Sequence, residues 1–115
     1  MRRVIGVDPG SRKTGYGIIE ISLSKINYVT SGHISVDDEV FPKRLGIIYA
    51  EVLELATSYE VQEMAIEDVF LAKNPNSALK LGQARGVAIA AGIAKDLDIF
   101  CLLYTSDAAD EEDSV

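Results

Sequence analysis

The sequence predicts an α/β fold built on a mixed sheet, in which three antiparallel strands are followed by parallel strands and flanking helices. Strand-like segments come first, within residues 4–8, 14–19 and 25–36, and short turns separate them. Short sequential strands of this kind typically pair as an antiparallel meander. Two helical segments then alternate with two further strands, and a strand that follows a helix typically joins a sheet in parallel.

The first two strands place an aspartate at the end of an apolar segment. Residues 4–7 read Val-Ile-Gly-Val, Asp8 follows them, and the Pro9-Gly10 turn reverses the chain. Gly15 and Gly17 in the second strand lack side chains and allow a bulky partner to come close. This pattern fixes a carboxylate on a rigid sheet with its oxygens open to a ligand. The alternative, in which Asp8 only accepts hydrogen bonds from turn amides, stays open.

The third strand has an imperfect alternation of apolar residues, and the first helix follows it. His33 is predicted to be a sheet or surface histidine, because no acidic or cysteine neighbour lies at ligand spacing. The helix is indicated by apolar residues at 3.6-residue spacing, with Pro42 tolerated in its first turn. These apolar residues are Phe41, Leu45, Ile48, Val52 and Leu55.

A second carboxylate stands near the end of the next strand, which is predicted within residues 61–70 and contains Glu67. If this strand is parallel to the first and beside it, Asp8 and Glu67 emerge at the same carboxyl edge, where mixed sheets build their sites. Two carboxylates are good ligands for Mg²⁺ or Mn²⁺. Such metals activate water and stabilise the leaving oxygen in phosphodiester hydrolysis. Two carboxylates are few for that chemistry, so further acids are expected downstream.

The second helix is predicted to begin at a cap formed by Ser77 or Asn76 and to run to about Lys95. Its glycines at positions 82, 86 and 92 indicate a close approach, for which we favour packing on the chain's own sheet over a partner helix or a substrate. Lys73, Lys80 and Arg85 give this region a modest basic character. A fifth strand begins at residues 98–100.

Composition limits the class of protein. With 115 residues, 48% of them hydrophobic and 25% charged, the chain is expected to form one globular domain at most and is short for a complete α/β enzyme. It contains no apolar run of membrane-spanning length, and residues 1–20 do not include the apolar h-region of a signal peptide. Its single cysteine, Cys101, suits a reducing compartment. We therefore expect a cytoplasmic protein without a membrane partner. The net charge of −7 is concentrated in residues 101–115, which hold five acidic and no basic residues.

Three segments resemble one known family. Residues 6–17, 65–74 and 77–88 are similar to signature segments of the RuvC family of crossover junction endodeoxyribonucleases, and the resemblance covers residues 1 to about 100. It implies a ribonuclease H-like fold, a homodimer, and resolution of four-way Holliday junctions in DNA recombination and repair by paired, Mg²⁺-dependent cuts. A branch-migration helicase complex is the further partner that the resemblance implies.

The resemblance also assigns roles to individual residues. Asp8 and Glu67 match the first two metal-binding catalytic carboxylates of the family. Phe70 would stack on an unpaired base near the junction, as aromatic side chains do at splayed nucleotides. Lys73, Lys80 and Arg85 would contact phosphates, and the helix rich in small residues would form a dimer surface.

The end of the chain departs from the family pattern. The remaining catalytic acids of the family lie in a carboxy-terminal helix that opens with an Asp-Ala-Ala-Asp-like pair. Asp107 and Asp110 have that local spacing, but they follow Glu67 by only about 40 positions and no apolar helix comes after them. We do not assign them to the site. Residues 101–111 instead resemble a translated sequencing-library adapter.

The sequence therefore predicts a partial nuclease domain over residues 1–100 and a non-native acidic tail over residues 101–115. A chain that is incomplete at its carboxyl terminus would lack metal-binding acids and be inactive. The alternatives are a fragment that binds junctions or other nucleic acid without cutting them, and a ribonuclease H-like paralogue that acts on RNA. The blocks at residues 67–74 and 77–86 argue against this paralogue and also against a sugar-kinase-like fold.

Overall fold

The computed structural model describes residues 1–10, 12–36, 39–67 and 74–102. Within them, five strands form one sheet in the order β3-β2-β1-β4-β5. The first three strands pair antiparallel, and β4 pairs parallel with both β1 and β5. The predicted mixed sheet is therefore confirmed. The elements are β1 (Arg2–Asp8), β2 (Lys13–Ser22), β3 (Lys25–Ser35), α1 (Phe41–Ser58), β4 (Glu63–Glu67), α2 (Pro75–Ala94) and β5 (Asp98–Leu102).

One face of the sheet carries the hydrophobic core. Alternate strand residues such as Ile5, Ile18 and Met64 are fully buried, because successive side chains of a strand point to opposite faces. Buried residues of both helices belong to the same cluster, which places α1 and α2 on this face. The helix residues are Ile48, Val52 and Ala56 on α1 and Ala84, Ala88 and Ala91 on α2.

The opposite face, here called the open face, carries small residues at its centre. In the ladder, Gly6 of β1 lies between Gly17 of β2 and Ala65 of β4. Phe100 of β5 pairs with Ala65 and leaves 51% of its surface exposed. Both helices of the described chain pack on the other face, so strand residues alone form this one.

A bulge explains the imperfect alternation of β3. The register shifts between Ile18 and Ile19, whose partners are Thr30 and Tyr28, so Val29 is the extra residue. A bulge reverses the alternation of the strand that contains it. Tyr28 therefore lies on the same face as Ile19, and both Tyr28 and Ile26 are exposed at this edge of the sheet.

The first helix begins where it was predicted, and the cap of the second was predicted wrongly. Helix α1 starts at Phe41 with a proline in its first turn. Helix α2 is capped by Asn74 rather than by Asn76 or Ser77: its side-chain oxygen accepts hydrogen bonds from the backbone N–H groups of Asn76 at 2.8 Å and Ser77 at 3.4 Å. Pro75 then opens the helix, a position at which its missing N–H costs nothing.

The glycines of α2 have two different environments. A β-carbon added at Gly92 would lie 2.8 Å from Ile99 Cδ1 and 3.0 Å from Met64 Cε, so this glycine packs closely on the sheet as predicted. Gly82 and Gly86 are exposed, and an added β-carbon would have no described atom within 4 Å. Packing on the chain's own sheet was therefore the wrong prediction for these two residues.

Strand β4 is shorter than the predicted segment, since it runs from Glu63 to Glu67. Residues 68–70 of that prediction lie outside the described residues. The fifth strand begins at Asp98 as predicted and extends to Leu102. No helix among the described residues has the length and apolar character needed to cross a membrane.

Candidate active site

Asp8 and Glu67 end neighbouring parallel strands. Asp8 is the last residue of β1 and Glu67 the last of β4, and the two strands pair in parallel up to Val7 and Ile66. Their next residues therefore emerge side by side at the carboxyl edge of the sheet, which is the placement predicted from the sequence. Asp8 is exposed and Glu67 is half-buried, so both carboxylates are accessible from solvent.

The turn that follows Asp8 is closed by Thr14. Its hydroxyl is fully buried, donates to the carbonyl oxygen of Gly10 at 3.0 Å, and is 3.4 Å from the backbone nitrogen of Gly10. A β-carbon at Gly10 would collide with the carbonyl oxygen of Lys13, so only glycine fits this turn without a shift. Among the described hydrogen bonds, none uses the Asp8 carboxylate. The reading of Asp8 as a turn-forming residue is therefore not supported, and its oxygens are available to a ligand.

A shallow trough of about 650 Å³ runs over the open face beside these carboxylates. Its floor is formed mainly by glycine backbone, because Gly6, Gly15 and Gly17 have no side chains there. Asp8 and Glu67, the last residues of β1 and β4, are among its lining residues. The trough gives a bulky, extended ligand direct access to the carboxylates.

His33 lies closer to this site than the sequence indicated. It is an exposed residue of β3, so its prediction as a sheet or surface histidine is confirmed. The ladder places Gly15 between Asp8 and His33, and a β-carbon at Gly15 would lie 3.6 Å from His33 Cδ2 and 3.8 Å from Asp8 Cβ. The imidazole therefore lies beside Asp8 across a glycine. The proximity of His33 to Asp8 depends on the register of the two hairpins, so it could not be predicted from residue spacing.

The carboxylates fit a hard divalent cation as a partial ligand set. Carboxylate oxygens are the ligands that Mg²⁺ uses, and it normally retains several waters. In the described part of the chain, no group of three histidine, cysteine, aspartate or glutamate residues is arranged to hold a metal ion. A cation at Asp8 and Glu67 would therefore take its other ligands from water, from a phosphate-bearing substrate, or from acids outside the described residues.

Arg85 is joined to this edge of the sheet. Its Nε–H donates to the carbonyl oxygen of Glu67 at 3.0 Å, and the side chain is half-buried. The arginine predicted as a phosphate contact thus connects α2 to the last residue of β4. Its role in contacting phosphate stays a prediction.

Lys80 is exposed, and its Nζ lies 5.6 Å from the centre of the Phe41 ring. This cation–π contact joins the first turn of α1 to the second turn of α2 and leaves the ammonium group open to solvent. Its predicted contact with phosphate is untested. Phe70, Lys73, Asp107 and Asp110 lie outside the described residues, so their predicted roles, or the absence of one, stay predictions.

The comparisons of sequence identify one family. The family model described as crossover junction endodeoxyribonuclease RuvC matches residues 4–110. The curated protein of that name from Pectobacterium atrosepticum is 54% identical over 100 residues, which make up 87% of this chain and 59% of that protein. The chain thus spans little more than half the length of this relative.

Two solved structures are similar in fold. Thermus thermophilus RuvC, in complex with Holliday junction substrate, superposes with a TM-score of 0.80 at 23% identity and covers 90% of this chain and 65% of that one. The yeast mitochondrial Holliday junction resolvase gives a TM-score of 0.67 at 15% identity, covering 89% and 50%. At these identities the likeness concerns the fold alone.

Proposed function

Since the chain belongs to the RuvC family of crossover junction endodeoxyribonucleases and has the ribonuclease H-like fold, we propose that its parent protein resolves four-way DNA junctions by hydrolysing phosphodiester bonds. The observation that carries the proposal is the parallel pairing of β1 and β4, which ends with Asp8 and Glu67 side by side. The family match over residues 4–110 supports the same function. DNA recombination and repair are the processes in which this activity would serve.

In this proposal, Asp8 and Glu67 hold Mg²⁺, with Mn²⁺ as a substitute. The bound cation would supply activation of water and stabilisation of the leaving oxygen in phosphodiester hydrolysis. The chain's contribution is to hold both carboxylates at one edge and to leave them accessible. The Thr14 hydroxyl fixes the turn after Asp8, and the glycine floor of the trough allows a nucleic-acid backbone to reach the pair.

We propose that four-way junction DNA binds over this trough. Phe70 would stack on an unpaired base, and Lys73, Lys80 and Arg85 would contribute phosphate contacts. The exposed ammonium of Lys80 is compatible with such a contact. A negative net charge does not oppose it, because local basic groups determine phosphate binding.

The exposed face of α2 suits a homodimer. Leu79 and Ile93 are 62% and 60% exposed, and Gly82 and Gly86 between them leave a flat strip. A flat helix face lets a second helix approach closely, so we propose that two copies pair through α2. The helicase complex of branch migration would be a further partner. The free, exposed thiol of Cys101 suits a cytoplasmic protein.

We further propose that residues 1–100 are part of the nuclease domain, that residues 101–115 are not native, and that the 115-residue chain does not cut DNA. The exposed Phe100 of β5 is consistent with further chain covering the β5 end of the open face, away from the trough, in the complete protein. Sequencing the source DNA across codon 100 tests the proposal. An uninterrupted native frame through residues 101–115 to a stop codon would refute it.

A cleavage assay on a synthetic four-way junction with Mg²⁺ tests the function. It compares the 115-residue chain with an extended protein, in which the continuation of the source gene follows residue 100. We expect only the extended protein to cut, and Asp8→Asn to abolish the cut. Asp98→Asn, an exposed aspartate at the start of β5, is the matched control and should leave it unchanged.

The same assay separates the alternatives. Binding of junctions by the extended protein without any Mg²⁺-dependent cut would indicate a non-cleaving binding protein. Cleavage of an RNA–DNA hybrid in preference to the junction would indicate a paralogue that acts on RNA.

A further inference from the structure

Arg85 holds the backbone of a residue whose side chain belongs to the candidate metal site. Its Nε–H donates to the Glu67 carbonyl oxygen at 3.0 Å across 18 positions of sequence. The helix around it is fixed on the sheet, because Ala84 and Ala88 are fully buried and Gly92 packs closely against Met64. The guanidinium group therefore extends to Glu67 from a rigid base.

Glu67 needs such support on the side where Asp8 lies. The ladder between β1 and β4 stops at Val7 and Ile66, one residue before the two carboxylates. On the other side, Glu67 still pairs with Leu102 of β5. The last residue of β4 is thus held by β5 on one side and by Arg85 from α2. A planar guanidinium directs its N–H groups in fixed directions, which a lysine ammonium group cannot reproduce.

We propose that Arg85 is a positioning residue that fixes the Glu67 backbone so that the Glu67 carboxylate shares a divalent cation with Asp8. This inference rests on the metal site of the proposed function and adds a residue that acts on the cation only through Glu67. Residues that orient a metal ligand in this way typically alter metal affinity by about 10- to 100-fold when they are replaced.

Losing the hydrogen bond and losing the positive charge of Arg85 should have opposite effects on cation affinity, which makes the inference testable. A positive charge near the carboxylates opposes cation binding, so removing the charge alone would tighten binding. Losing the hydrogen bond would instead weaken binding, because Glu67 is no longer held. Arg85→Lys keeps the charge and removes the Nε–H donor, whereas Arg85→Met removes both.

The experiment is a Mn²⁺ titration of the ¹⁵N-labelled extended protein, followed by paramagnetic broadening of backbone amide signals. Broadening reports weak binding and identifies the residues near the ion. We expect Arg85→Lys and Arg85→Met each to weaken Mn²⁺ binding about tenfold. Broadening of the Glu67 amide should be lost before that of Asp8, a pattern that a general loss of stability does not produce.

Arg3→Lys is the matched control. Arg3 also donates to a backbone carbonyl, that of Tyr59 at 2.8 Å, and is likewise half-buried. It lies near the start of β1, about 17 Å from Asp8 at about 3.4 Å per strand residue. This substitution should leave the Mn²⁺ affinity unchanged. Thermal unfolding by circular dichroism confirms that each variant is folded at the temperature of the titration, and either Arg85 variant alone decides the result.

The outcomes separate this inference from the proposed function. The proposed metal site is wrong if Mn²⁺ broadens the amide signals of Asp8→Asn and Glu67→Gln as it does those of the wild type. It is also wrong if the wild type shows no specific broadening. If those two variants lose binding while Arg85→Lys keeps the wild-type affinity, the positioning role is overturned and the site stands. Tighter binding by Arg85→Met with unchanged binding by Arg85→Lys would also overturn it, since charge alone would then explain the effect.

Discussion

The hydroxyl of Thr14 donates to the carbonyl oxygen of Gly10 at 3.0 Å and closes the turn that follows Asp8. Thr14 is the fully buried polar residue of the described core. The turn joins β1 to β2, so this hydrogen bond holds the backbone that directly follows the aspartate. The first prediction concerns this contact.

Thr14→Val should lower the free energy of unfolding by about 1–3 kcal/mol, because it leaves the polar groups of Gly10 without their partner. Thr14→Ser keeps the hydroxyl and removes one buried methyl group, so it should cost about 1 kcal/mol. Urea denaturation measures both. Thr57→Val, which removes an exposed hydroxyl bonded to the carbonyl oxygen of Leu53, should stay within about 0.5 kcal/mol. A Thr14→Val variant as stable as the wild type would show that the hydroxyl does not stabilise the turn.

The glycines of α2 should respond differently to alanine. Gly92→Ala introduces a β-carbon against the side-chain ends of Ile99 and Met64, which must move, so the cost of repacking should cancel most or all of the gain of about 1 kcal/mol in helix propensity. Gly86 is exposed, and a β-carbon added there meets no described atom within 4 Å. Gly86→Ala should therefore stabilise the chain by about 1 kcal/mol, because alanine has a better helix propensity than glycine. The two variants are compared by thermal and urea unfolding at low protein concentration. Equal effects would contradict the different environments of the two residues.

The dimer proposed through α2 predicts a surface-specific effect of a longer side chain. Gly86→Gln places a side chain on the flat strip and should shift the extended protein towards the monomer. Gly46→Gln is the control, because Gly46 is also exposed, lies in α1 and has no described atom within 4 Å of an added β-carbon. Light scattering coupled to size-exclusion chromatography measures the mass. Equal masses for the two variants would exclude this strip as the dimer surface.

The proposed phosphate contact of Lys80 predicts a change in salt dependence. Lys80→Met should weaken junction binding by the extended protein and reduce the slope of log affinity against log salt by about 0.9. Lys95→Met, at the other end of α2, is the control and should leave the slope unchanged. Phe41→Leu removes the cation–π contact and should cost at most about 1 kcal/mol of stability. An unchanged slope for Lys80→Met would show that this lysine serves the contact with Phe41 alone.

The sequence predicted those features that depend on local periodicity and on chain order. The meander, the helix-separated parallel strands and the common edge of Asp8 and Glu67 follow from alternation, helical spacing and the geometry of parallel strands. The glycines of α2 were identified as unusual, but a single sequence does not show the rotation of the helix about its axis, so Gly92 could not be distinguished from Gly82 and Gly86.

Contacts between distant segments could not be predicted in this way. His33 lies beside Asp8 only because of the register of two hairpins and a bulge in β3. The hydrogen bond from Arg85 to Glu67 depends on how far α2 lies along β4. The cap at Asn74, in contrast, is predictable from local sequence. Asn followed by Pro is a strong helix-start signal, so Asn74 and Pro75 together indicate the first turn of α2.

The pairing of β1 with β4 has a consequence for how the chain folds. It joins Val7 to Ile66, whereas the strands of the meander are neighbours in sequence, so closing this pair carries the larger entropic cost. The two carboxylates share an edge only after that closure. A cation that requires both of them binds only the closed sheet and stabilises it by mass action. In the proposed site, metal binding and closure of the β1–β4 pair are thus thermodynamically linked, and a nascent chain that has not yet extruded β4 would be unable to hold the ion between the two residues.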